Sequence, residues 1–157
     1  MPADLSLPPG TTAEAAIEAA IALYQGYQWR MSRPTNGCRV LIPPAPEAHE
    51  ATGLNTNLLL DEYMPLATEE AVICGDWNRY VPRPLSNDKD AFTLLLKTCQ
   101  ECDLYVSFLG RHSNNGWTCV LTRSFCSNPP IFEGRCRESR EAISIACLHA
   151  WKASQPQ

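Results

Sequence analysis

A chain of 157 residues, 45% hydrophobic and 19% charged, has the make-up of one folded globular domain, and its composition speaks against disorder. A net charge of −4 and a pI near 5.3 argue against a general nucleic-acid binder, whose footprint is a basic surface. Arg111, Arg123, Arg135, Arg137 and Arg140 all fall in the last third, which leaves room for a local basic pocket beside the plainer reading of a solvated rim.

Residues 1–11 form a Pro-containing arm with no basic start, expected to be flexible, and the apolar run Ala15–Leu23 is broken by Glu18 and followed by no cleavage-like site. No apolar stretch reaches bilayer-spanning length, so the expectation is a cytoplasmic protein without a membrane partner. Thr11-Thr-Ala-Glu14 has the form of a capping box, and Ala16, Ile17, Ala20, Ile21 and Tyr24 recur at helical spacing. A helix over about Thr12–Gln25, stopped by Gly26, follows. Tyr27–Met31 alternates large apolar with polar residues, Asn36-Gly37 is a hairpin turn signal, and Cys38–Ile42 is the returning strand. Residues 43–76 carry few periodic signals and are expected as a long irregular excursion, with a helical turn near Thr68–Val72.

Ser86 or Asn87 caps a helix over Asp88–Glu101 whose expected apolar stripe is Ala91, Phe92, Leu95, Leu96 and Cys99. Leu104–Leu109 reads as a strand with Leu104, Val106 and Phe108 on one face, turned by Asn115-Gly116 into Trp117–Thr122. Ser124–Gly134 is expected as a loop. The closing helix, Glu138–Lys152, is apolar around most of its circumference, which suits burial on both sides, within the monomer or across a homo-oligomer interface. Residues 12–153 are thus expected to make a single α+β domain, an α/β/α layered sandwich in which antiparallel hairpins form a central sheet flanked by helices.

The eight cysteines, Cys38, Cys74, Cys99, Cys102, Cys119, Cys126, Cys136 and Cys147, are expected to be reduced and free of metal. Cys99-Gln-Glu-Cys102 has half-site spacing, but it lies at a helix C-terminus and no second pair accompanies it. Cys119 and Cys147 stand in apolar contexts as small hydrophobes. No cofactor is implied: the eight glycines form neither a P-loop nor a dinucleotide fingerprint.

Taken in order, Gly26-Tyr-Gln-Trp29, the hairpin running into Pro43-Pro44, Trp77–Pro82, Ser86–Ala91 and the closing Glu141–Ala153 resemble the small phage and prophage proteins of the phage ABA sandwich family. The resemblance spans about residues 14–153. It implies a helix–sheet–helix layered fold and a phage setting, and it implies no activity.

No catalytic residue is assigned. The three histidines, His49, His112 and His149, have no evident nucleophile or orienting acid, and His149 on an apolar helix is expected as a core or boundary residue. Trp77, Arg79, Tyr80 and Arg83 form an aromatic–basic cluster ahead of a helix N-terminus, where an anion is favoured. With Arg111 and His112 they make the candidate ligand-binding set; the alternative is that Trp77 and Tyr80 simply pack. The expected function is a non-enzymatic, phage-encoded binding protein that acts against host defence by sequestering a nucleotide-derived signalling molecule. A protein-docking factor using the 43–76 surface is the alternative, and an enzyme acting on a nucleotide comes third.

Overall fold

The computed structural model describes residue 7 and residues 10–32, 38–44, 63–65, 77–112, 116–123 and 128–155. Helix α1 spans Ala13–Tyr24. Its cap is Thr12 rather than Thr11: the Ala15 N–H donates to Thr12 Oγ1 at 3.1 Å. Gly26, at φ +99°, ends it. The Gly26 N–H reaches Leu23 O and the Tyr27 N–H reaches Ala22 O, so the last carbonyls are satisfied in a Schellman arrangement that needs a left-handed residue at position 26.

Strands β1 (Gln28–Ser32) and β2 (Cys38–Ile42) pair antiparallel, with Trp29 opposite Leu41. The expected turn between them lies outside the described residues. A third strand, β3 (Tyr63–Pro65), pairs with β1 on its other side and completes a sheet of order β2-β1-β3. It falls inside the segment expected to be irregular. Apart from β3, Pro43 and Pro44, that segment lies outside the described residues, as does the helical turn expected near Thr68–Val72. Ala19, Ala22, Tyr27, Leu41, Trp77 and Val81 form the core here, and the Leu41 N–H donates to Trp77 O at 3.0 Å.

The second part of the chain opens with helix α2 (Asp88–Glu101), capped by Asn87, whose side chain accepts from the Asp90 N–H. Its buried side is Ala91, Leu94, Leu95 and Thr98. Phe92 and Leu96 were expected in the stripe, yet they face outward at 49% and 72% exposure. The helix is apolar over more than one face, and packing rather than periodicity selects the buried one. Asp103, at φ +54°, follows its end and lets the Leu104 N–H return to Cys99 O.

Strands β4 (Tyr105–His112), β5 (Gly116–Thr122) and β6 (Ile131–Cys136) form an antiparallel sheet in that order. β6 lies partly where a loop was expected. Its inward positions are Phe132 and Gly134, opposite the fully buried Leu121 and Cys119 of β5. A β-carbon on Gly134 would sit 2.1 Å from Ala142 O and 2.8 Å from Ala146 N. Glycine is therefore what lets helix α3 (Ser139–Ser154) press its backbone onto the strand. α3 buries Ala142, Ile143, Ala146, Cys147, Ala150 and Trp151, packing on β5, β6 and α2. Ile145 and Leu148, on the rest of its apolar circumference, are half-buried. Two polar links tie α3 to α2 and to the segment that precedes it. Trp151 Nε1 donates to Thr98 Oγ1 at 2.8 Å, and Arg140 Nε donates to Leu85 O at 3.0 Å.

The protein is α+β, built from helices and antiparallel hairpins as expected. Its strands are divided between two three-stranded sheets, and the chain falls into two compact units, Pro2–Pro82 and Arg83–Gln157.

Candidate functional site

Of the six residues expected to bind a ligand, Trp77, Arg79 and Tyr80 belong to the first unit, and Arg83, Arg111 and His112 to the second. Trp77 is only 4% exposed. It stacks obliquely on Trp29, ring centroids 5.7 Å apart, while the Arg39 guanidinium lies 5.2 Å from the Trp29 centroid. Trp77 therefore serves as a core residue. Arg79 and Tyr80 do come together, the guanidinium carbon 5.5 Å from the ring centroid.

The N-terminus of α2 is already occupied. Asn87 Oδ1 takes the Asp90 N–H at 3.1 Å, and Asp90 Oδ2 takes the Arg83 N–H at 2.8 Å. With Asp88 also in the first turn, protein carboxylates supply the negative charge that the helix dipole favours, so a ligand anion there meets repulsion. Arg83 contributes its backbone to this cap, and its side chain is exposed. Arg111 and His112 are neighbours on β4 and pair with Trp117 and Gly116, so they point to opposite faces. His112 Nδ1 is 2.5 Å from Thr118 Oγ1. His149 is exposed on α3 rather than at a core boundary, and His49 lies outside the described residues.

The register of the second sheet defines a surface that the sequence did not reveal. Paired residues of an antiparallel ladder share a face, and successive residues alternate. The slip between Val106 and Phe108 is a β-bulge: Val106 pairs with Leu121, whereas Phe108 pairs with Val120. These two residues, expected on one face, are thereby turned to opposite faces. On the face away from α3 lie the rows Tyr105–Thr122–Ile131, Phe108–Val120–Glu133 and Gly110–Thr118–Arg135. Tyr105 is 48% exposed, Phe108 47% and Ile131 65%. A β-carbon on Gly110 would lie 3.2 Å from Phe108 Cζ, so the phenyl ring is laid along the strand over the glycine. Arg135, at the far side of this face, pairs with Glu133. The signal for this surface was present as Tyr105 and Phe108, but their three-residue spacing fits no simple alternation.

The interior side of the same sheet is rich in sulfur. Cys119 and Cys147 are fully buried, as expected of small hydrophobes. Burial pushes the Cys119 thiol up from its ordinary value to about 11, with Cys99 adding to the effect. Cys147 is pushed further by burial, against a hydrogen bond to Thr98. Cys99, Cys102 and Cys136 are raised for the same leading reason. Raised thiols are poor nucleophiles at neutral pH. Among the described residues these five cysteines are free, and no group of His, Cys, Asp or Glu is arranged to hold a metal. The side chain of Cys38, together with Cys74 and Cys126, lies outside the description.

One cavity, of about 230 Å³, opens where the C-terminal ends of α2 and α3 meet β6; Cys102, Leu104, Arg123, Phe132, Ala153 and Ser154 are among its lining residues. Among the described residues no helix is long and apolar enough to cross a membrane. No family model matches this chain, and no curated protein or solved structure does either.

Proposed function

We propose that the protein is a non-catalytic binder of a nucleotide-like ligand, a planar base carrying an anionic group, taken on the open face of the second sheet. The observation that carries this reading is Phe108, half exposed and laid over Gly110, with Tyr105 exposed on the same face. Base–aromatic stacking contributes roughly 1–3 kcal/mol per base. Arg135 lies two strands across, on the order of 10 Å from β4, a span suited to the distance between a base and its phosphate. A phosphate competes with Glu133 for this guanidinium, and stacking offsets the exchange. Charge is consistent with the assignment: Arg83–Gln157 carries nine Lys and Arg against seven Asp and Glu, while the whole chain is at −4. Sequestration with the ligand left intact is the mode proposed. A phage setting and an action against host defence are the biological part of the proposal, and they draw on the family resemblance alone.

Titration calorimetry with AMP, GMP and a cyclic dinucleotide tests the reading. Saturable binding of at least one of them is expected, with Phe108→Ala weakening it tenfold or more and the ligand recovered unchanged after denaturation. Binding by none of the three, or binding indifferent to Phe108→Ala, refutes it. Recovery of a chemically altered nucleotide transfers the case to the enzyme reading.

A further inference from the structure

We infer that the second unit carries a separate site for a small organic anion, an aromatic or branched apolar body bearing one carboxylate or phosphate, in the cavity between the C-terminal ends of α2 and α3. Phe132 shares the inward face of the sheet with Leu121, so this cavity and the open face lie on opposite sides. The inference is independent of the function proposed above.

The cavity holds roughly ten heavy atoms, small by the standard of ligand pockets. Its walls are Leu104, Pro130, Phe132, Ala150 and Ala153, with polar groups confined to Cys102, Arg123 and Ser154. Leu104 and Ala150 are buried and Ala153 is exposed, so the floor is apolar and the rim is formed by a residue too small to close it. Mostly apolar walls with a few convergent polar groups are the usual composition of small-molecule sites.

Arg123 decides the sign of the charge. Arg123 is exposed, and among the described residues its hydrogen bond runs from Nη2 to Cys102 O at 3.4 Å, near the limit for such a bond. Among the described residues no carboxylate lies within ion-pair distance of it. An arginine that only capped α2 would use little of its five-donor fork. Here the remaining N–H groups stay available to a carboxylate or phosphate. The opposing influence is clear: two helix C-termini meet here, and their carbonyl ends disfavour an anion. The α3 end is partly answered by Ser154 Oγ and Gln155 Nε2, which both donate to Trp151 O. The α2 end is answered by Arg123 itself. Among the described residues, anion binding in this cavity therefore depends on that single side chain.

The test uses benzoate and phenyl phosphate as probes, with benzyl alcohol and inorganic phosphate as controls, followed by amide chemical shifts of the full chain. Both aromatic anions should saturate with millimolar or better Kd, as a ligand of about ten heavy atoms can reach, and should shift Leu104, Phe132, Ala150 and Ala153. Benzyl alcohol and inorganic phosphate, each lacking one half of the recognition, should bind at least tenfold more weakly. Arg123→Gln should weaken both anions tenfold or more while leaving benzyl alcohol unchanged. Ala153→Phe, which fills the mouth from an exposed position, should block every probe without altering the melting temperature. Phe108→Ala should leave this binding intact. Absence of saturation at about 10 mM overturns the inference, as does anion binding that survives either cavity variant or disappears in Phe108→Ala. Inorganic phosphate binding as well as phenyl phosphate overturns it too, reducing the site to an adventitious ion only.

Discussion

Replacing Thr98 by valine removes one oxygen from the interior of the second unit and leaves the Trp151 indole N–H without its acceptor. Thr98 is 0% exposed and Trp151 7%, so water has no ready access to the orphaned donor. Valine keeps the shape of the side chain, and its helix propensity is close to that of threonine. The lost donation from Thr98 Oγ1 to Leu94 O and the lost hydrogen bond between Thr98 and the Cys147 thiol matter less, because a helical carbonyl keeps its backbone partner and a thiol hydrogen-bonds weakly. The net cost is therefore mainly that of one unsatisfied buried N–H, about 1–3 kcal/mol, or roughly 2–12 °C in melting temperature for a chain of this length. Urea denaturation followed by tryptophan fluorescence measures it. The cause is isolated by a double-mutant cycle with Trp151→Phe, which deletes the donor. Thr98→Val should cost almost nothing in that background, giving a coupling of about 1 kcal/mol or more. A Thr98→Val protein as stable as its parent, or two substitutions whose effects simply add, would show that the hydrogen bond does not hold the helix pair together.

Gly134→Ala should destabilise by about 3 kcal/mol or more, at or above the usual cost of overpacking, because its β-carbon would meet the Ala142 backbone at 2.1 Å; an unchanged denaturation midpoint would count against this packing of α3 on β6. Asp103→Gly should stabilise by about 1 kcal/mol, since it relieves a left-handed residue at φ +54° and removes a carboxylate from a helix C-terminus. The same midpoint measurement checks it, and a loss of stability would sink the idea. The buried thiols predict an alkaline limit. With Cys119 raised from the ordinary 9.0 to about 11, the native state holds protons that the unfolded chain releases. Stability from this source is intact below about pH 8 and falls as pH climbs from 9 towards 11. Denaturation at a series of pH values should show that decline, and Cys119→Ala should lessen it without abolishing it, because Cys147 is raised as well.

The elements legible in the sequence are those fixed by near neighbours. Helices α1 and α2 announce themselves by caps and by periodicity, and Gly26 marks the end of α1, because each depends on hydrogen bonds only three to five residues apart. The β1–β2 hairpin, β4–β5 and α3 were likewise evident, and so was the burial of Cys119 and Cys147 in apolar surroundings. The choice of buried face was less accessible, since α2 is apolar at Phe92 and Leu96 as well as at Leu94 and Leu95.

What only the tertiary structure decided has a common physical cause: it depends on a partner distant in the chain. β3 and β6 exist as strands because β1 and β5 offer them edges, and Gly134, which looked like a loop residue, is demanded by a helix that passes over it. The role of Trp77 followed from Trp29, 48 residues earlier, and not from its neighbours Arg79 and Tyr80. A one-residue slip at the β-bulge turned Phe108 from the covered face of the sheet to the open one. Side chains alternate with a period of two, so a single extra residue exchanges inside for outside, and nothing local in Tyr105–His112 records that it has happened.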